Sequence, residues 1–280
     1  MIKRLLLTLM CLLGTVALCQ PRINPSGVWS WSDFITASFE EFSWGKNPLS
    51  IECDIIDLGA NPPYIVVASE QFFVTSWEQD HFLINFFGYW GDDNTSGSIS
   101  MVFGPDRESM HYLRIEPVYR SGLIDNGPNS WFKRIPPGTP KNPNTSVVFS
   151  PQNIRPSGVW DHPGVQMNST REFSWGTNPV NKEVYTIDLG AEKPTIDFAG
   201  ERLTIHEVVQ KDYVFIFKGS WYDEDEPGSV SVIFSADGNS LYFLDVKPDR
   251  FHGLTDFLIP FWFVRVPQDA PVVPIGENGP

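Results

Sequence analysis

Short runs in which apolar and polar side chains alternate recur along most of the chain. Three of them, KDYVFIFKGSW (211–221), SVSVIFS (229–235) and SLYFLDV (240–246), are rich in β-branched and aromatic residues and are separated by turn-forming residues. The segment SADGNS between the last two predicts a hairpin, because Asp237-Gly238 can adopt the positive φ that a tight turn needs. No stretch shows the period of a long amphipathic helix. The pattern therefore predicts an all-β fold.

The same pattern occurs twice. Shifting the sequence by 131 residues aligns positions 25–136 with 156–267 without a gap, and 43 of the 112 aligned positions are identical. The segments PSGVW and IDLGA recur unchanged, and EFSWGKNP (41–48) returns as EFSWGTNP (172–179). Solenoid repeats are only about 20 to 50 residues long, so this period indicates a duplicated whole domain.

The duplication defines the expected domain organisation. We expect a first β domain at 20–137, a linker rich in Pro and Asn at 138–155, a second β domain at 156–267 and a flexible tail at 268–280. Each domain of about 110 residues should contain roughly seven to nine strands, arranged as a β-barrel or a β-sandwich. The first copy has GPDRES in place of SADGNS, which predicts that this hairpin is kept with a different turn type.

Each copy begins with a Gly-x-Trp motif and ends in a strand that carries arginine. These residues are Gly27, Trp29 and Arg134 in the first copy and Gly158, Trp160 and Arg265 in the second. The arrangement resembles the calycin signature, in which a tryptophan of an early strand packs beneath an arginine or lysine of the last strand and plugs one barrel end. The resemblance implies calycin-like or lipocalin-like barrels, and it implies no ligand.

The first nineteen residues predict export. Lys3 and Arg4 precede an apolar stretch of about 14 residues, which is shorter than the roughly 20 residues that a membrane span needs. Two interpretations of Cys19 stay open: it is the lipidated cysteine of a bacterial lipoprotein signal and carries an N-terminal lipid anchor, or it flanks a plain cleavage site. We therefore expect no membrane span and an extracytoplasmic location, in the periplasm, at the cell envelope or secreted.

The net charge limits the classes of partner, and the cysteine content limits how the domains are stabilised. The net charge of −14 disfavours nucleic acid and anionic membrane surfaces, because both require a basic footprint. Once the signal peptide is removed, Cys53 is the one certain cysteine, so an internal disulfide is excluded and each domain depends on its apolar core.

A catalytic site inherited by both copies would keep its chemical groups at equivalent positions. None of the five histidines faces a histidine of the other copy, which excludes a shared histidine triad or metal site. Carboxylates do recur, but most lie beside turn-forming residues, where capping a turn is their usual role. The acidic run at 223–226 is interpreted as a solvated hairpin tip. We expect no catalytic residue, no metal, no cofactor and no enzymatic activity.

Tryptophan is the strongest functional signal. Eight of the ten tryptophans form four equivalent pairs, and we interpret these as core residues. Trp31 and Trp77 have no tryptophan at the equivalent position, so they are the candidates for exposed ligand-binding aromatic residues. We interpret the repeated stretch at 41–48 as a structural joint and expect Trp44 and Trp175 to be buried.

Together these patterns predict an exported, non-enzymatic binding or interaction protein of the cell envelope. Its expected partner is a protein, a glycan or a small apolar ligand. Two alternatives stay open: a lipocalin-like carrier of a small apolar ligand, and a carbohydrate-binding protein or glycan hydrolase.

Overall fold

The structure, a computed structural model, describes residues 22–31, 37–50, 53–125, 131–139, 154–182, 184–198, 200–221, 226–248 and 261–273. The predicted signal peptide 1–19, with Cys19, lies outside the described residues, as does most of the linker 138–155. No helix in the described part of the chain is long and apolar enough to cross a bilayer.

The first repeat forms a closed antiparallel barrel of eight strands. Its ten strands are β1 (Gly27–Ser30), β2 (Ser38–Phe42), β3 (Gly45–Leu49), β4 (Asp54–Asp57), β5 (Tyr64–Val67), β6 (Glu70–Asp80), β7 (Leu83–Trp90), β8 (Ser96–Phe103), β9 (Ser109–Glu116) and β10 (Phe132–Ile135). The order around the barrel is β1-β10-β9-β8-β7-β6-β5-β4, and β4 pairs back onto β1. Strands β2 and β3 form a separate hairpin. A 3-10 turn (Val118–Arg120) and helix α1 (Gly122–Asp125) follow β9.

The second repeat builds the same architecture. Its strands are β11 (Gly158–Asp161), β12 (Ser169–Phe173), β13 (Gly176–Val180), β14 (Tyr185–Asp188), β15 (Thr195–Phe198), β16 (Glu201–Lys211), β17 (Val214–Trp221), β18 (Glu226–Phe234), β19 (Ser240–Lys247) and β20 (Phe263–Arg265). The barrel order is β11-β14-β15-β16-β17-β18-β19-β20, and β12 pairs with β13 outside it. The prediction of two tandem all-β domains is confirmed, and both are barrels rather than sandwiches.

The alternation along each strand separates the barrel interior from its outer face. In β1, the side chain of Trp29 belongs to the interior core. The preceding residue, Val28, packs on the outer face against Phe42 of the β2–β3 hairpin. Cys53 is buried in the same outer cluster. Successive strand residues point to opposite faces, so one apolar run serves both clusters.

The hairpin turns GPDRES and SADGNS have the same conformation, so the predicted difference in turn type is wrong. Arg107 has a φ of 59° and Gly238 a φ of 68°. Both donate their backbone N–H to the residue three positions earlier, at 2.9 Å in each copy. The rest of the hairpin holds the arginine in a conformation that glycine adopts more easily.

The two barrels pack against each other through their outer faces. Their contact residues belong to one continuous apolar cluster with the core of the first barrel. The first barrel contributes Phe82, Val102 and Trp131, and the second contributes the equivalent Tyr213, Ile233 and Trp262.

Candidate functional site

The two predicted ligand-binding tryptophans lie in different environments. Trp77, in β6, is 38% exposed and its ring lies 6.4 Å from that of Phe86. Trp31, just after β1, is half-buried and packs against the core of the first barrel. The strands β1 and β6 are not neighbours in the barrel, so these residues are not part of one strand pair. Their role in ligand binding stays a prediction.

Six of the eight paired tryptophans are buried. They are Trp29, Trp90, Trp131, Trp160, Trp221 and Trp262. Trp44 and Trp175 are only half-buried, so the expectation that they are buried is wrong. Each stacks on the phenylalanine two residues before it, with ring centroids 4.8 Å apart for Trp44 and 4.7 Å for Trp175. Such stacking fixes the indole while part of it stays exposed, because the hairpin packs on the outer face of the barrel.

One end of the first barrel is closed by Trp29 and Arg134, as the calycin resemblance implies. The guanidinium lies 4.4 Å from the indole centroid and donates to the carbonyls of Asn24 and Ser26. The indole N–H donates to Pro25 O at 3.2 Å. These bonds tie the segment before β1 across the barrel end.

The second barrel is closed in the same way. Arg265 lies 4.2 Å from the ring centroid of Trp160 and donates to the carbonyls of Arg155 and Ser157. A Cβ on Gly158 would approach the Arg265 guanidinium to 2.4 Å, which explains why the motif requires glycine two residues before the tryptophan.

The repeated stretch at 41–48 joins the β2–β3 hairpin to the barrel. The backbone N–H and hydroxyl of Ser43 donate to Asp57, which also accepts the N–H groups of Gly59 and Ala60. Asn47 donates to Ile135 O of the last strand at 3.2 Å. The second copy repeats these bonds with Ser174, Asp188 and Asn178. The stretch is therefore a structural joint in both domains.

A pocket of about 830 Å³ lies outside the plugged end of the second barrel. It is bordered by the segment before β11, the β12–β13 hairpin, the β18–β19 turn and the residues after β20. Its polar and aromatic lining is formed by Arg155, Ser157, Trp175, Asn178, Asp237, Asn239, Arg265 and Gln268. We refer to this site as the arginine pocket. A volume of this size accommodates a small ligand.

The charges around the plug arginine differ between the two copies. In the first barrel, Arg134 Nε lies 2.8 Å from Glu108 Oε2. The position equivalent to Glu108 is Asn239, and the position equivalent to Asn24 is Arg155. Burial and the neighbouring charge of Arg155 lower the pKa of Arg265. The second copy therefore has one more cation and one fewer anion at its plug.

Two pairs of the recurring carboxylates cap turns, Asp57 with Asp188 and Asp106 with Asp237. Glu70 and Asp92 instead bind the guanidinium of Arg120. Asp237 accepts hydrogen bonds from the Ser235 hydroxyl and from the backbone N–H of Asn239. Burial raises the pKa of Asp237, but these hydrogen bonds outweigh it and lower the pKa overall. Asp106 caps the equivalent turn in the first copy. No group of three or more His, Cys, Asp or Glu among the described residues could hold a metal ion.

Asp54 and Tyr112 form a buried polar pair inside the first barrel. The Tyr112 hydroxyl donates to Asp54 Oδ2 at 2.7 Å, and Ala68 N–H donates to Oδ1. Burial raises the pKa of Asp54 to about 6, although both hydrogen bonds oppose the shift. The second barrel has the aromatic pair Tyr185 and Phe243 at these positions, with ring centroids 5.8 Å apart. The polar pair is thus not required by the fold.

Sequence reasoning missed the residues of the arginine pocket. That reasoning considered chemical groups that both copies keep. Arg155 and Asn239 instead replace Asn24 and Glu108 of the first copy. The signal that could have found them is the change of charge at two positions that flank a duplicated plug. Without the fold, nothing in the sequence places these positions beside Arg265.

No family model, no curated protein and no solved structure matches this chain.

Proposed function

We propose that this chain is an exported, non-enzymatic binding protein of the cell envelope, and that its second barrel binds a glycan residue in the arginine pocket. The observation that carries the proposal is the combination of a half-buried indole with several hydrogen-bonding side chains in one pocket. Sugar rings are bound in this way, since an aromatic ring packs on their C–H groups while polar side chains bond their hydroxyls.

Trp175 supplies the aromatic part of the proposed site. One face of its indole is covered by Phe173, with the ring planes 1° apart. Its N–H donates to Asn178 Oδ1 at 3.3 Å, and Gln268 donates to its backbone carbonyl at 3.3 Å. These contacts fix the ring before a ligand arrives, which reduces the entropy lost on binding.

The polar part of the site comes from four exposed or half-buried side chains. Arg155, Asn239 and Gln268 are exposed, and Arg265 is half-buried at the base of the pocket. Asp237 is a carboxylate in the lining and is engaged in its own turn. A glycoside hydrolase requires two carboxyl groups that flank the scissile bond, so this lining favours binding over hydrolysis.

The carrier alternative has less support from the barrel interiors. In the first barrel, Phe72, Phe86, Trp90 and Phe103 are fully buried and belong to one core. A second pocket, of about 390 Å³, has Val165, Met167 and Val273 in its lining and lies outside the second barrel. Neither this pocket nor the arginine pocket lies within a barrel.

The two copies provide a matched test of this function. Isothermal titration of the mature protein with mono- and oligosaccharides, after a glycan-array screen, should detect binding that Trp175→Ala abolishes. Trp44→Ala is the control, because it removes the equivalent indole and the same stacking from the first barrel. Equal losses in both variants, or no loss in either, would contradict binding at the arginine pocket.

Export and the fate of Cys19 are tested separately by the mass of the mature chain. Lipidation of Cys19 would add the mass of the acyl chains to the mature chain, and this added mass would be absent from the Cys19→Ala variant. An unmodified N-terminus near this position supports plain cleavage, and retention of residues 1–19 would overturn the proposed export.

A further inference from the structure

The plug arginines of the two barrels make the same internal bonds but have different neighbours on the solvent side. In the first barrel, Glu108 approaches Arg134 Nε from the solvent, since the Glu108 side chain is 62% exposed while that of Arg134 is 16% exposed. The place occupied by the Glu108 carboxylate is therefore both in contact with a plug arginine and open to water.

The equivalent place in the second barrel has no carboxylate. The Asn239 side chain turns toward Asp237, with Nδ2 3.4 Å from Oδ2. The guanidinium of Arg265 donates to the carbonyls of Ser157 and Arg155 and lies over the ring of Trp160. In the first barrel the equivalent atom, Arg134 Nε, faces Glu108, whereas Arg265 Nε has no acidic partner among the described residues.

A second cation lines the same pocket. Arg155 is exposed, stands in the pocket lining beside Arg265, and has no ion pair among the described residues. The one carboxylate of the lining, Asp237, is bonded within its own turn and, among the described residues, pairs with neither guanidinium group. Like charges held together are stabilised when a ligand supplies the opposite charge.

We propose that the arginine pocket binds a ligand that carries a carboxylate, and that this carboxylate pairs with Arg265 and Arg155 at the place that Glu108 occupies in the first barrel. This inference rests on the proposed function and names its ligand class, a uronic acid or related sugar acid. Guanidinium groups bind carboxylates through two parallel hydrogen bonds, so the pair gives orientation as well as charge. Trp175 then receives the ring of the same ligand.

The test compares glucuronate, glucose and inorganic phosphate by isothermal titration of the mature protein. Glucuronate should bind at least about tenfold more tightly than glucose, and its affinity should fall with added salt. Asn239→Glu places the first barrel's own glutamate beside Arg265 and should weaken glucuronate binding by about tenfold or more, a larger loss than the same variant causes for glucose. Asn239→Gln adds no charge and should weaken glucuronate binding less than Asn239→Glu does. Glu108→Gln, a control in the other barrel, should retain glucuronate binding.

The outcomes separate this inference from the proposed function. If glucose bound as tightly as glucuronate and Trp175→Ala abolished the binding of both, the proposed recognition of a carboxylate would be overturned. The proposed binding of a glycan would then still stand. Phosphate binding that matches glucuronate and persists in Trp175→Ala would overturn the assignment of a sugar acid. The absence of binding by any sugar would overturn both proposals. Circular dichroism verifies folding of Asn239→Glu, which the first barrel indicates is tolerated at this turn.

Discussion

Trp131 and Trp262 lie against each other at the contact between the barrels, with ring centroids 5.9 Å apart. Trp131 donates its indole N–H to Phe234 O at 3.0 Å, and Trp262 donates to Phe103 O at 3.1 Å. Each tryptophan and each acceptor is the equivalent of the other, 131 positions away. The barrels are thus related by an approximate twofold axis, as the subunits of an isologous dimer are.

The tryptophan pair should stabilise the contact between the barrels. Trp262→Ala removes the ring contact and leaves the buried Phe103 carbonyl without its donor, so we expect a loss of about 3 to 5 kcal/mol in unfolding free energy. Trp262→Phe keeps a ring and should lose about 1 to 2 kcal/mol. Chemical denaturation measures both values. A protease site placed within the linker 138–155 provides a second measurement, because the cleaved halves should co-elute in gel filtration unless Trp262 is replaced by alanine.

Asp57 should stabilise the first domain through the joint that it forms with Ser43. Asp57→Ala leaves three backbone N–H groups and one hydroxyl without their acceptor, and we expect a loss of about 2 to 4 kcal/mol. Lys46→Thr copies the second domain at an exposed position of the same stretch and should change stability by less than about 0.5 kcal/mol. Equilibrium unfolding that ranks these variants the other way would contradict the structural role of the stretch.

The stability of the first barrel should depend on pH through Asp54. Its pKa of about 6 in the folded state lies above the value of about 3.9 in the unfolded chain, so the folded state binds the proton more tightly. The resulting stabilisation is fully present below about pH 4 and is lost as the pH rises toward 6, with a total change of roughly 3 kcal/mol. Denaturation of Asp54→Asn beside the wild type from pH 4 to 8 isolates this contribution. A difference between the two proteins that does not change with pH would contradict it.

Replacing Arg107 by glycine, the residue at the equivalent position of the second domain, should stabilise the first domain. Arg107 has a φ of 59°, and its equivalent is a glycine. Arg107→Gly relieves the steric cost of this conformation and should raise the unfolding free energy by about 0.5 to 1 kcal/mol. The reverse change, Gly238→Ala, should lower it by a similar amount. Shifts of the denaturation midpoints in the same direction for both variants would show that the turn is not strained at this position.

Much of the architecture could be predicted because its signals are local or duplicated. Alternating runs such as SVSVIFS specify strands through their side-chain period, and identity between the copies indicates which segments form one domain. Gly27, Trp29 and Arg134 were also recognisable, since a plug needs a small residue, a large ring and a cation in a set order. The candidate site was not predicted in this way, because its residues are defined by differences between the copies.

The sequence by itself determined that the chain is a duplicated all-β protein with an arginine and a tryptophan at each plug. Only the tertiary structure decided that the sheets close into barrels, that Trp131 and Trp262 face the other barrel, and that Arg155 and Asn239 meet Arg265 in one pocket. The physical reason is that alternation distinguishes two faces of a strand without specifying what covers each face. That choice depends on contacts between residues about 100 positions apart, which local patterns do not encode.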